Sequence, residues 1–430
     1  MPLSRYLKTF SDPDRPRSVL LYSTKKGSVA RVSERLLASA RDGSLTESDR
    51  DVLRRMELWV DNSVAERDGM VNLVDRSNSH FSTFSATVVL TLDCNLACPY
   101  CFEDHFRGSY AMNEETAQLL INYIQREQID CGRDVHVRFY GGEPLMAVPR
   151  LKEIARQLQD AAKIADKNFS CSLVTNATLL TRSVVNELLP FGLDSAQVTL
   201  DGPPEIHNSQ RPFVSGQGSF DKIVENLRSV YDLITLKPGG NYTRENYHEF
   251  PAMLDALLEA GIDPAKLGPI QFSPIHPKSG ASNSHNTGCV VSSEQWFFEA
   301  NLFLRAETLR RGFSVEKPHM GICMIDLTNS LVVNYDGSLY KCPPLMGWPE
   351  MSIGTLADGI SDYRKSHNLE NWKNDECLDC AYLPLCFGGC RFFHLLETGT
   401  IDGLDCRRAM LDASLEAIVR QHLDHSNGSN

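Results

Sequence analysis

The stretch Cys94-Asn95-Leu96-Ala97-Cys98-Pro99-Tyr100-Cys101 decides how this chain is read. It follows a run of strand formers, Ala86-Thr87-Val88-Val89-Leu90-Thr91-Leu92, so three cysteines stand at the mouth of an expected strand. Packed this closely, their sulfurs can face one centre. Were that centre a four-iron cluster, three thiolates would leave one iron without a protein ligand. A zinc site takes four protein ligands, or three and a water, and an electron-transfer cluster takes four cysteines. Three cysteines with no nearby fourth fit neither well.

Working outward, 13 cysteines among 430 residues need a reason. The odd count and uneven spacing weigh against a disulfide framework. Ten of them fall into two groups, at positions 94–101 and 323–406, which favours metal or iron–sulfur ligation. Cys131, Cys171 and Cys289 stand alone and are expected to be small buried hydrophobes. A formal net charge of −12 excludes a general nucleic-acid binder, which needs a basic face. No apolar run of 18 residues and no secretory signal is present, so a cytoplasmic protein is expected.

Either side of the cysteine loop the pattern alternates. Strands are expected at Thr87–Leu92, Val135–Tyr140, Ser170–Thr175, Ser195–Leu200, Leu233–Lys237 and Pro269–Pro274. Amphipathic helices are expected at Glu114–Gln128, Leu151–Lys163, Ser183–Leu189, Phe220–Tyr231 and Arg244–Ala260. This is the pattern of an α/β fold with a parallel sheet, and six units suit a partial (β/α)6 barrel. The cysteine loop, Gly141-Gly142-Glu143-Pro144 and Asp201-Gly202 each follow an expected strand directly, so they should share the C-terminal rim where active sites form.

The first eighty residues read as a separate winged-helix-like module. Ser18–Tyr22 and Ser28–Val32 pair as a hairpin, Ser33 and Thr46 cap short helices, and Leu58-Trp59-Val60 closes the module as a strand. Residues 61–85 are polar, contain Asp68-Gly69, and read as a linker. A helix over 294–310 is expected to lead away from the barrel. The segment from His319 holds too little apolar sequence for its own core, so metal must contribute to its fold. A last helix runs to about His422, and the tail from His425 is expected to be disordered.

The spacing Cys-x3-Cys-x2-Cys, with Tyr100 before the last cysteine, resembles the signature of radical S-adenosylmethionine (SAM) enzymes. That resemblance implies a [4Fe–4S] cluster on Cys94, Cys98 and Cys101, with SAM on the open iron. One electron then cleaves SAM to a 5′-deoxyadenosyl radical, which takes hydrogen from an unactivated carbon. Gly141, Gly142, Glu143 and Pro144 match the family's GGEP motif, which receives the SAM amino group. Its glycines would let the backbone approach a ligand, and Glu143 would accept from an ammonium. Val174-Thr175-Asn176 resembles the family's third strand end. Thr199, Asp201 and Arg211, in the strand-four region, could contact the SAM ribose or carboxylate, or the substrate; the alternative is that they only fix the loop.

The later cysteines match the order of the SPASM domain of radical SAM maturases. Carried over by position, Cys377, Cys380, Cys386 and Cys406 hold one auxiliary [4Fe–4S] cluster. Cys323, Cys342 and Cys390 hold a second, for which no fourth cysteine lies just upstream; His319 precedes Cys323 by four residues. The alternative for this block is one or two zinc ribbons. Sulfatase-maturing relatives place an aspartate directly after the cysteine equivalent to Cys342, where this chain has Pro343, which argues against formylglycine formation.

What the resemblance then implies is a maturase of ribosomally made peptides, forming a thioether, carbon–carbon or related linkage, and in overall layout similar to geopeptide-type maturases. Its expected domains are a leader-recognition-like module (1–80), a radical SAM core (87–290), a connecting helix (291–318), a SPASM domain (319–410) and a helix with a tail (411–430). Its implied partners are a precursor peptide and an electron donor such as flavodoxin or ferredoxin, with no nucleic acid and no membrane. Competing readings are a radical SAM enzyme acting on a folded protein or small molecule, and a non-catalytic iron–sulfur protein.

Overall fold

The computed structural model describes residues 3–103, 106–275 and 294–427. The chain gathers into two compact units, one made of residues 1–80, 317–327 and 368–430, the other of residues 81–316 and 328–367. In chain order, three antiparallel strands come first: β1 (Leu7–Ser11), β2 (Ser18–Ser23) and β3 (Val29–Ser33), side by side in that order. Four helices follow: α1 (Glu34–Asp42), α2 (Glu47–Arg55), α3 (Ser63–Val71) and α4 (Leu73–His80). The hairpin and the caps stand where the sequence puts them, with the Ser33 hydroxyl accepting from Leu36 N–H and that of Thr46 from Asp49 N–H.

Two expectations for this region fail. Leu58-Trp59-Val60 is not a strand; Trp59 makes only an isolated bridge to Leu3. Residues 61–85 are not a linker, because Asn62 caps α3 and Asp68-Gly69 lies inside that helix. Met70 and Val74 are buried beside Tyr6, Trp372 and Phe387. Roughly one buried side chain per turn sufficed to dock these helices, and so sparse a stripe leaves a polar composition.

The second unit is built on β4 (Thr83–Thr91), α5 (Glu114–Ile124), β5 (Asp134–Gly141), α6 (Val148–Ile164), β6 (Phe169–Thr175), α7 (Arg182–Leu188), β7 (Leu193–Thr199), α8 (Pro204–Gln210), α9 (Phe220–Val230), β8 (Thr235–Tyr242), α10 (Phe250–Glu259) and β9 (Gln271–Pro274). β4 to β9 are parallel and pair consecutively, as the sequence pattern requires. The sequence did not reveal that the sheet continues. After α11 (Gln295–Arg310), β10 (Ser330–Val333) pairs parallel with β4, and β11 (Ser338–Tyr340), β12 (Gly354–Thr355) and β13 (Gly359–Ile360) extend it. Among the described residues the ten strands run β13-β12-β11-β10-β4-β5-β6-β7-β8-β9, with β13 and β9 at the ends.

Helix α11 does not lead away. Trp296, Ala300 and Leu304 are buried in the core beneath the sheet, and Trp296 stacks with Tyr247 at 6.4 Å between centroids. In the first unit, α12 (Arg391–Thr398) and α13 (Arg408–Asn427) carry the C-terminal part. Because α13 reaches Asn427, residues 425–427 are helical where disorder was expected; residues 428–430 lie outside the described part, as does Cys289. Cys171 is buried as expected, but Cys131 is exposed, in the turn after α5. Among the described residues no helix is long and apolar enough to cross a membrane.

Candidate functional site

The ends of β4 and β5 cross closely, and this fixes where the cysteine loop begins. Gly142 N–H donates to Thr91 O and Glu143 N–H to Asp93 O, each at 2.9 Å. A Cβ on Gly141 (φ +128°) would lie 2.1 Å from Thr91 O, and one on Gly142 2.2 Å from Asp93 O. The approach that demands both glycines is therefore to the chain's own backbone.

Three further ties hold the loop. Arg107 Nη2 donates to Cys94 O (2.9 Å) and Leu96 O (2.7 Å). Ala97 N–H donates to Pro212 O and Val214 N–H to Asn95 O, so the segment after Arg211 clamps the opposite side. Cys94, Cys98 and Cys101 are free and half-buried. The Cys94 sulfur accepts from Leu96 N–H (3.5 Å) and from Asn176 Nδ2 (3.7 Å). Burial raises all three thiols, Cys101 to about 12. Metal binding must displace those protons, so it is coupled to pH.

Glu143 lies beneath this loop, fully buried. Its Oε1 accepts from Leu145 N–H (3.0 Å) and the Thr175 hydroxyl (2.8 Å), and Oε2 from Asn176 N–H (2.8 Å). One acceptor position remains, on Oε2. Burial raises its pKa, and these donors oppose the shift. Asn176 is itself 4% exposed, its amide oxygen taken by Thr178 and its Nδ2 shared between Asn95 Oδ1 and Cys94. Pro144 opens the 3-10 turn Pro144–Ala147.

Tyr100 joins the second group of predicted residues. Its hydroxyl donates to the buried Asp201 carboxylate and accepts from Arg211 Nη1 (2.6 Å) and Asn241 Nδ2 (3.3 Å). Asp201 Oδ1 also accepts from Asn241 N–H at 2.6 Å, and Arg211 Nη1 lies 3.7 Å from Oδ2. Burial raises the Asp201 carboxyl; Arg211, Tyr100 and Asn241 act against it. Behind them, Asp201 N–H donates to His207 Nδ1, and burial lowers that imidazole to about 3, so it is neutral. Thr199 ends β7, half-buried, opposite Gly239.

Sequence reasoning gave no role to Arg107, Asn241, Glu103 or Tyr140. Glu103 is 4% exposed and pushed to about 7 by burial, with Tyr140 acting against that shift, while its Oε1 has no partner. The available signals were position: Arg107 lies six residues past Cys101, and Asn241 follows an unusual Gly239-Gly240 pair inside a strand.

Among the later cysteines, Cys377, Cys380, Cys386 and Cys406 line one cavity of about 80 Å³. Arg408 also lines it, and the nearby Cys380 thiol raises its pKa. Cys323 and Cys390 lie close enough to interact electrostatically in the same unit, beside a buried Asp326–Arg391 ion pair of 2.9 Å. Cys342 belongs to the other unit, near Tyr140. Among the described residues no three His, Cys, Asp or Glu side chains converge as ligands of a single metal ion. A four-iron cluster holds its cysteines farther apart, one to each iron, and thiols arranged around a cavity suit it.

A model of the radical SAM superfamily matches residues 88–257. Those residues form a radical SAM domain. Its family uses SAM and a [4Fe–4S] cluster, and the free thiols and N–H donors of the Cys94 loop fit that group. The enzyme is 25% identical over 340 residues to the cysteine-type anaerobic sulfatase-maturating enzyme of Clostridium perfringens, spanning 69% of this chain and 86% of that one. Native anSMEcpe with bound AdoMet is similar in structure, with a TM-score of 0.63 at 20% identity over 80% of this chain and 99% of that. Streptococcus suis SuiB bound to precursor peptide SuiA is similar with a TM-score of 0.53 at 15% identity, over 94% and 98%. At these identities the structural likeness is one of fold.

Proposed function

We propose that this radical SAM enzyme modifies a ribosomally made precursor peptide. The observation that carries the reading is a four-thiol cavity, lined by Cys377, Cys380, Cys386 and Cys406, in the same chain as the three-thiol rim. Fold likeness to SuiB, solved with its precursor peptide, supports it over nearly the whole chain.

In this reading Cys94, Cys98 and Cys101 hold a [4Fe–4S] cluster with one open iron. Bound there, the cluster and SAM supply a 5′-deoxyadenosyl radical. The residues around it orient and exclude: Glu143 offers its remaining lone pair to the SAM ammonium, and Gly141, Gly142 and Pro144 shape the turn beside it. Tyr100, Asp201, Arg211 and Thr199 border the nucleoside side. The N–H donors on Cys94 favour the reduced, more negative cluster. Cys377, Cys380, Cys386 and Cys406 hold one auxiliary cluster, and Cys323 and Cys390 contribute to another. The thiols are kept reduced in the cytoplasm, where a flavodoxin or ferredoxin delivers electrons.

Two measurements test this. Replacing Cys94, Cys98 and Cys101 by Ala should abolish 5′-deoxyadenosine formation and lower iron from about twelve to about eight per chain. Anaerobic incubation with SAM, reductant and each short peptide encoded beside this gene should cost one peptide hydrogen atoms, read by mass spectrometry. 5′-Deoxyadenosine formed with every peptide unchanged would sink the peptide assignment and leave the radical chemistry standing.

A further inference from the structure

Cys323 and Cys390 are tied to one buried ion pair. Asp326 N–H donates to Cys323 O at 3.0 Å, closing the 3-10 turn Met324–Asp326 that this cysteine opens. Arg391 directly follows Cys390, whose own N–H is held by Asp405 Oδ2 at 2.9 Å. Arg391 Nη2 donates to both Asp326 oxygens, at 2.9 and 3.0 Å, and neither side chain is exposed. The pair therefore staples together the two segments that carry these cysteines. Burial raises the Cys390 thiol, and the nearby Cys323 adds to the shift.

The staple uses only part of the arginine. A guanidinium carries its N–H donors in a planar fork. Nε and Nη2, on one edge, share Asn368 O at 3.2 and 3.1 Å, and Nη2 also reaches Asn371 Oδ1 at 3.5 Å. Asp326 is well served, because its Oδ1 also accepts from Glu370 N–H at 2.9 Å. Nη1 stands on the opposite edge from Nε, buried, and has no partner among the described residues. Arg391 as a whole is 1% exposed. A buried N–H of a charged group is costly without an acceptor, so this edge calls for one.

That acceptor must be electron-rich and must lie beside the stapled segments. A [4Fe–4S] cluster on the Cys323 and Cys390 thiolates presents sulfide and thiolate sulfurs of this kind. We propose that Arg391 Nη1 donates a hydrogen bond to a sulfur of the auxiliary cluster to which Cys323 and Cys390 contribute, while Nη2 fixes their segments through Asp326. A donor there favours the reduced cluster and raises its potential. Arg391 is thus a positioning residue that also tunes the metal. The inference rests on these two cysteines holding iron and is independent of which substrate is modified.

The test uses the full chain carrying Cys94→Ala, Cys98→Ala and Cys101→Ala, reconstituted with iron and sulfide, so that auxiliary clusters alone contribute. Adding Cys390→Ala identifies the relevant signal by its loss. Arg391→Lys keeps a cation for Asp326 and removes the second nitrogen. In a redox titration followed by electron paramagnetic resonance, it should shift that cluster negative by about tenfold in the reduced-to-oxidised ratio, about 59 mV for one electron. With 15N-labelled arginine, the reduced cluster should show a nitrogen coupling that Arg391→Lys removes. The paired variant Asp326→Leu with Arg391→Met leaves no lone charge, so it should melt near the parent chain and keep the negative shift.

Leu53→Ala, in an apolar group of the same unit that contains no cysteine, should lower the melting point and leave the potential in place. An unmoved potential in Arg391→Lys and the paired variant, a coupling that persists without Arg391, or an equal shift in Leu53→Ala would overturn the proposal. Iron content unchanged by both Cys323→Ala and Cys390→Ala would remove the cluster reading and the proposal with it. 5′-Deoxyadenosine assays on the chain with Cys94, Cys98 and Cys101 intact judge the radical chemistry separately.

Discussion

The two units of this enzyme hold themselves together differently. The unit that carries the Cys94 loop has one continuous apolar core between sheet and helices, running from Phe84 on β4 to Leu304 on α11. Among the described residues the other has three small apolar groups, around Trp372, around Leu415 and around Leu53. A large core lets iron serve chemistry alone. Small separate cores leave the four-thiol cavity to close the fold, as metal does in small cysteine-rich domains.

The sharpest break of this contrast is iron removal. Chelation should leave the unit containing residues 87–257 folded, while residues 368–410 become open to protease; equal resistance of both would refute a structural role for the auxiliary metal. Next in size is Arg391→Met. Arg391 Nη2 donates to both Asp326 oxygens, with both side chains fully buried, and each residue stands close in sequence to a predicted ligand, Cys390 or Cys323. Leaving Asp326 unpaired should cost this unit about 3–5 kcal/mol in denaturant melts. Replacing both partners by apolar residues should recover much of that loss.

Smaller effects probe the large-core unit. His207 is neutral when folded, down at about 3, but takes a proton near 6.5 when unfolded. Its contribution is therefore complete above pH 6.5 and is lost as pH falls towards 3, by about 1.4 kcal/mol per pH unit. His207→Gln should flatten that part of the stability–pH curve. Smallest is Asn176→Ala, which removes one N–H donor from the Cys94 sulfur. The cluster potential, read by electron paramagnetic resonance during a redox titration, should move negative while stability changes little.

The contrast also explains what could be read in advance. The six strands, most helices, the two caps and the cysteine groups were legible because each depends on local periodicity or spacing. Helices α3 and α4 were missed because their few apolar residues meet a core 300 residues away. The addition of β10 beside β4 was missed because four residues of strand carry no sign of their partner. At the site, Glu143 was found by its motif. Its three donors, and the passage from Glu143 through Asn176 to Cys94, depend on β6 lying next to β5.

By itself, the sequence determined the chemistry: three thiols at a strand end, a Gly-Gly-Glu-Pro turn after the next expected strand, and a separate block of later cysteines. Those are properties of residue type and short spacing. Only the tertiary structure decided which residues act on those thiols. The Tyr100–Asp201–Arg211–Asn241 network spans 141 residues of chain. Hydrogen bonds and charges act through space, and no sequence distance encodes that space.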